Sequence, residues 1–465
     1  MRENRLTRRS LLAMSLKVGA GLGAMAALAA CGAATPPAPS EGATSAPAAE
    51  AATQPPAAPA ERIVLRYTYD ETPGETTWNA KIKADYEAAN PGIEVRPEPS
   101  VEGWVEKTIA AMVAGTAPDI LIAWGSIFAS FASRGGYEDI TDTVKAWPDY
   151  DDFWPNAINE LGVMDGKIYA VPYCFDPVTI FYYHEKLLDE AGVPYPNDTW
   201  TYDDFMQSCI ALTKKDESGK VVQWGFNGSE TTSSGGLGRA MAAVWAYGGD
   251  KYNEDMTRCL LAEPEALEAI NLFWRLKSEY QASPTPEQMG GMSYYQMFAS
   301  GQCAMQTTGP WAITTYLEMI QDPELANQWE VGPPPSGPKG RFAVGSGNLW
   351  GLWSGGQHKP EALALLRFMT DPDRAKEVGS IANRVPARKS AADSFGDPDK
   401  RPENESVFPA ALEYALPIKY HPTKDAEVSD IIATAWEEFM ILEKRTPEEA
   451  LTEACAKVDK LLQEG

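Results

Sequence analysis

Alternating apolar and polar residues in "IVLRYTY" (63–69) predict a strand. The stretch from Trp78 to Ala89 follows with helical composition and apolar positions at Ile82, Tyr86 and Ala89. Asn90, Pro91 and Gly92 stop that helix, and "IEVRPE" opens a second strand. A second helix is expected from Glu102 to Ala114, apolar at Val105, Ile109, Met112 and Val113 and closed by Gly115. The unbroken apolar run "DILIAW" (119–124) then predicts a strand buried on both faces. Strand, helix, strand, helix, strand is the order of a parallel sheet with crossover helices, so the fold class is α/β.

Further along, "GKIYAVPY" (166–173) and "TIFYYH" (179–184) predict strands. "EALEAINLFWRLKSEYQ" (265–281) and "KPEALALLRFMTD" (359–371) predict helices, with Trp274 on the apolar face of the first. The chain closes from Ser429 to Gln463 in helix, broken near Thr446 and Pro447, with Trp436 on its apolar face.

The amino-terminal pattern differs. Arg2, Arg5, Arg8 and Arg9 precede a stretch without charge from Val18 to Ala30, which is the build of an export signal. Lys17 and the glycines of this stretch argue against a membrane span, which needs about 20 apolar residues. Leu28, Ala29, Ala30, Cys31 and Gly32 resemble a bacterial lipobox, which makes Cys31 the acylated first residue of the mature chain. Thr7 to Leu12, "TRRSLL", resembles the twin-arginine export motif. Residues 32–61 carry no aromatic or large aliphatic side chain, cannot bury a core, and read as a tether reaching roughly 90 Å if extended.

At 465 residues the chain is long enough for two lobes, and 44% hydrophobic with 23% charged residues is the composition of a packed soluble body. The net charge of −25 falls to −29 from Cys31 onward, because the basic export segment offsets part of it. Such a surface repels phosphate backbones, which excludes nucleic acid as a partner. The cysteines at 31, 174, 209, 259, 303 and 455 form no CxxC pair, and His184, His358 and His421 are far apart, so no metal site or cofactor is expected. The five body cysteines are expected as isolated buried thiols.

"GTAPDILIAWG" (115–125), "FYYHEKLLDEAGVPYPNDTWTYDDF" (181–205), "FASGQCAMQTTGPW" (298–311), "VGPPPSGPKGRFAVGSGNLWGL" (331–352) and "RVPAR" (384–388) fall in one order. Together they resemble the family 1 extracellular solute-binding proteins, the carbohydrate-binding lipoproteins that serve ABC importers. The resemblance implies a two-lobed periplasmic-binding-protein-like fold of type II, each lobe a mainly parallel sheet flanked by helices, with ligand held in the cleft between them. It implies residues 1–30 as signal peptide and 31–61 as tether. Residues 62–177 with 346–392 would then form the first lobe, and 178–345 with 393–465 the second. Chain crossovers are expected near Asp176 to Ile180, Gly345 to Trp350, and Pro386 to Ala392, and closure about them is the hinge. "YCFDPVTIFYY" is one residue longer than the family pattern, which leaves the role of Asp176 open.

A sugar offers hydroxyls that donate and accept and C–H faces that lie flat on aromatic rings, so its site needs indole platforms and planar polar side chains. All 14 tryptophans lie after residue 61. Trp124, with Ser126 beyond it, ends a parallel strand, and Glu75 and Trp78 open the first helix near the switch region of the sheet. Trp311 and Trp350 follow glycines at family cleft positions; Asn348, Trp245 and Trp104 are further candidates, each with turn or packing roles as the alternative. Arg384 could clamp hydroxyls or an acid, or form a surface ion pair.

These residues point to a monomeric, non-enzymatic lipoprotein that captures a di- or oligosaccharide and delivers it to the permease subunits of an ABC importer, anchored to the membrane through Cys31. The alternatives are the same fold binding a glycerol phosphodiester, or a tethered glycoside hydrolase with a carboxylate pair.

Overall fold

A computed structural model describes residues 62–233, 235–397 and 399–464. The signal, Cys31 and the tether lie outside these residues. The first strand is Ile63–Tyr69, as its alternation predicts. The first helix, Pro73–Ala89, starts five residues before the expected Trp78. Its cap explains this: the Thr72 side chain accepts from the Glu75 N–H and Pro73 pre-sets the first turn. Trp78, Ile82 and Tyr86 form its buried face at helical spacing, whereas Ala89 is exposed. The second helix is Trp104–Ala114 and ends at Gly115, whose φ of 73° is the left-handed conformation that only glycine adopts cheaply.

The first sheet has the order Ile93–Pro99, Ile63–Tyr69, Ile120–Ala123, Leu349–Leu352, Val171–Pro172. The first three strands are parallel, and Leu349–Leu352 is inserted antiparallel to both its neighbours, so four of the five run one way. Every residue of Ile120–Ala123 is buried, as an apolar central strand covered on both faces must be. The second sheet orders Trp329–Gly332, Ile180–His184, Cys303–Thr308, Val221–Phe226 and Lys214–Lys215, with three strands running one way. Each sheet anchors one α/β lobe.

A three-stranded ribbon joins them. Ala343–Ser346 lies between Asp176–Pro177, antiparallel, and Ala415–Pro417, parallel. The chain leaves the first sheet after Pro172 and enters the second at Ile180; it returns between Ser346 and Leu349. At Pro386 to Ala392 it still belongs with the first lobe, because Arg388 donates to the Thr370 carbonyl, lies 3.9 Å over the Phe153 ring, and bonds Asp149. By Arg401, which pairs with Glu185 and Glu330, it has reached the second. That passage therefore comes later than the resemblance implies.

The chain closes in helices Asp425–Trp436 and Pro447–Gln463, joined by a π-type turn at Glu437–Ile441. Thr446 and Glu449 form a reciprocal cap that restarts the helix at the expected break. Trp436 is fully buried. One expectation is corrected here: Cys259 and Cys455 are disulfide-bonded across 196 residues, while Cys174, Cys209 and Cys303 are free and buried. Local sequence pattern carries no signal for a pairing at that distance. Among the described residues no helix is long and apolar enough to cross a membrane.

Candidate functional site

A cavity of about 440 Å³ opens between the lobes. The first lobe contributes Trp124 and Leu161, the second Ser229 and Arg239, and the ribbon Gly345, Ser346 and Pro417. Trp124 is half-buried at the carboxyl end of Ile120–Ala123, where the chain turns into helix Gly125–Ser133. Its ring rests on Trp104, with centroids 5.2 Å apart, and Trp104 in turn meets Phe131 edge-on. Trp104 therefore backs the platform. Ser126 is exposed and lines a neighbouring groove with His421 and Asp425.

Beside the ribbon lies a buried ionic cluster. Arg384 Nη1 is 3.1 Å from Asp176 Oδ2, its Nε is 3.2 Å from Glu75 Oε1, and its Nη2 meets Asp70. The second Asp176 oxygen accepts the Val385 N–H at 2.8 Å. Asp176 thus ties its own strand to residues 384–385. Tyr173 donates to Glu75 Oε1 at 2.8 Å, and the Asn348 amide donates to Tyr173 Oη and Asp70 Oδ2. Burial pushes the Glu75 carboxyl up to about 7, against the opposing pull of Arg384. Burial likewise raises Asp176. Burial alone would lower Arg384, but Asp176, Glu75 and Asp70 hold its guanidinium well above its ordinary value.

Trp311 caps this cluster. The Arg384 guanidinium carbon lies 5.1 Å from its ring, and its Nε1–H donates to Tyr295 Oη at 2.8 Å. Tyr295 packs on Tyr294, over which Arg239 sits at 5.8 Å, and Arg239 Nη1 donates to the Thr307 carbonyl. A continuous polar and aromatic path thus runs from Arg384 to the cavity wall at Arg239. Nearby Glu230 is raised by burial, its Oε1 accepting from the Thr307 hydroxyl.

Two expected platforms are core residues instead. Trp78 and Trp350 have no exposed surface, stack at 5.6 Å, and sandwich against Tyr173, which is 4.1 Å from Trp350. Every residue of Leu349–Leu352 is buried, so the flanking glycines do not open the Trp350 ring to the cleft. Trp245 also stands apart: its Nε1–H donates to Asp250 just past its own helix, and it packs on the second lobe's core. The structure brings together Glu75, Asp176, Asn348, Arg384 and Trp311, and places Trp124 in the cavity. Asp70, Tyr173 and Arg239 were not anticipated. Asp70 follows the first strand directly, at the carboxyl end where sheet ligands gather, and that position was the available signal.

Comparison with known proteins agrees with this architecture. The bacterial extracellular solute-binding protein family matches residues 69–376. The chain belongs to that family. A diacetylchitobiose binding protein of Streptomyces coelicolor is 23% identical over 279 residues, 58% of this chain and 60% of the relative. An arabinooligosaccharide-binding protein of Halalkalibacterium halodurans is 24% identical, with 65% and 68% covered. The chain thus spans about 60–68% of the length of these relatives. An ABC substrate-binding protein of Listeria monocytogenes, solved in complex with cycloalternan, superposes with a TM-score of 0.75 at 23% identity, covering 86% of this chain and 99% of that one. The fold shared with such proteins is the two-lobed one described above.

Proposed function

We propose that this protein captures a di- or oligosaccharide in the interlobe cavity, closes about the ribbon, and delivers the ligand to the permease of an ABC importer. The observation that carries the reading is the cavity framed by both lobes and the ribbon, with the half-buried Trp124 ring on one side and Arg239 and Ser229 on the other. An indole platform opposite hydrogen-bonding groups is what a sugar ring requires. Two relatives named for oligosaccharides support it. The lobe division at 177/178 and 345/346, the lipid on Cys31 and a monomeric state complete the proposal: the lipid and tether would hold the receptor beside its permease.

The cavity edge disfavours the alternatives. A phosphodiester needs a free cation, whereas Arg384 is already faced by three carboxylates and Arg239, the cation on the cavity wall, feels the opposing charge of buried Glu230. A glycoside hydrolase needs two carboxyls presented to substrate, whereas Glu75 and Asp176 are 0% and 2% exposed. The protein, screened by calorimetry against neutral oligosaccharides and phosphodiesters, should bind a neutral sugar at one-to-one stoichiometry and return it intact. Binding of phosphodiesters alone, or turnover of a glycoside, refutes the proposal.

A further inference from the structure

A second cavity, of about 230 Å³, adjoins the first and shares Gly125, Leu161, Pro417, Ile418 and Tyr420 with it. Beyond the shared residues its walls are Phe128, Ala129, Val163, Met164, Met256 and Pro422, and its charged members Glu160, Asp165 and Lys419 are exposed at the rim. This chemistry differs from that of the first cavity. A pyranose would leave its hydroxyls facing thioether and aliphatic groups, and leaving polar groups unpaired in such surroundings is unfavourable. An apolar group loses nothing there and gains from burial. Gly125 and Tyr420 stand on the border that the two cavities share. A β-carbon at position 125 would lie 2.8 Å from the Tyr420 hydroxyl of the opposite lobe, and its φ of 47° is itself left-handed. Glycine at 125 therefore lets Tyr420 pack closely at that border.

We infer that this annex receives an apolar substituent carried by the captured sugar, so that the preferred ligand class is an aryl or acyl glycoside rather than a bare oligosaccharide. The inference rests on the carbohydrate reading and on the adjacency of the two cavities along their five shared residues. Met164 and Val163 line only the annex, on the hairpin Val163–Met164/Lys167–Ile168, and are half-buried.

The test is calorimetric titration of the full chain with methyl and p-nitrophenyl glycosides of each sugar in a neutral mono- and disaccharide panel. For the sugar that binds, the p-nitrophenyl glycoside should bind about tenfold more tightly than its methyl counterpart, in line with the burial of one small ring. Met164→Gln with Val163→Thr should abolish that advantage while leaving methyl glycoside affinity and the melting temperature unchanged. Equal affinity of the two glycosides, or an aryl preference untouched by the annex substitutions, overturns the inference and leaves the carbohydrate reading standing. Binding of neither glycoside for any sugar overturns both.

Discussion

The guanidinium of Arg384 is stacked 5.1 Å from the ring of Trp311 while the same group faces Asp70, Glu75 and Asp176. One buried cation thereby serves a first-lobe helix residue, a ribbon residue and a second-lobe aromatic at once. Removing it strands carboxylates that have no other counter-charge in contact among the described residues. Arg384→Ala should destabilise the protein by about 3–5 kcal/mol in chemical denaturation. Arg384→Lys keeps the charge without the planar fork and should recover only part of that loss.

Glu75 sets a pH dependence. Its carboxyl is raised by burial from 4.5 to about 7 in the folded protein. The neutral form is thus favoured by folding, so its contribution is fully present below about pH 4.5 and is lost as pH rises through about 7. The full swing is on the order of 3 kcal/mol. Denaturation midpoints for the protein and for Glu75→Gln, compared at pH 5 and pH 8, should show a shallower decline in the variant. Parallel curves would mean that Glu75 ionises freely in the fold.

Trp124 and Trp350 should behave oppositely. Trp124→Ala removes a half-exposed ring and is expected to weaken sugar binding by roughly 10–100-fold with a small change in melting temperature. Trp350→Ala empties a site with no exposed surface and breaks the indole bond to the Thr68 carbonyl. It should cost about 3–5 kcal/mol of stability, measured in denaturant.

The disulfide Cys259–Cys455 ties the final helix to the body across a long loop. Cys455→Ser should lower stability by about 2–5 kcal/mol, and reductant should do the same to the unmodified protein. Reductant insensitivity would show that the bond does not form in solution.

Much of this was legible in the chain and some was not, for reasons that particular residues make plain. Strand and helix order over 63–123 followed from period and caps, because the signals are local: Thr72 with Pro73, Gly115, and the apolar run at 120–123. Leu349–Leu352 entering the first sheet between strands 120–123 and 171–172 is a pairing over more than 170 residues, and no local pattern encodes it. The same distance hid the burial of Trp350, the disulfide, and the fact that Asp70 and Arg384 meet. Arg384 read equally well as a clamp or a surface pair until Glu75 and Asp176 were seen to surround it.

The ribbon of Asp176–Pro177, Ala343–Ser346 and Ala415–Pro417 has a mechanical meaning. Three separate strings between two bodies would let each body swivel and slide on its own account. Paired in register at Ser346–Asp176 and Val344–Leu416, they would act as one leaf spring, stiff against sliding and compliant only in twist and bend. In the closure proposed above, the ribbon would leave very few degrees of freedom and bring the two walls of the cavity together in the same register each time.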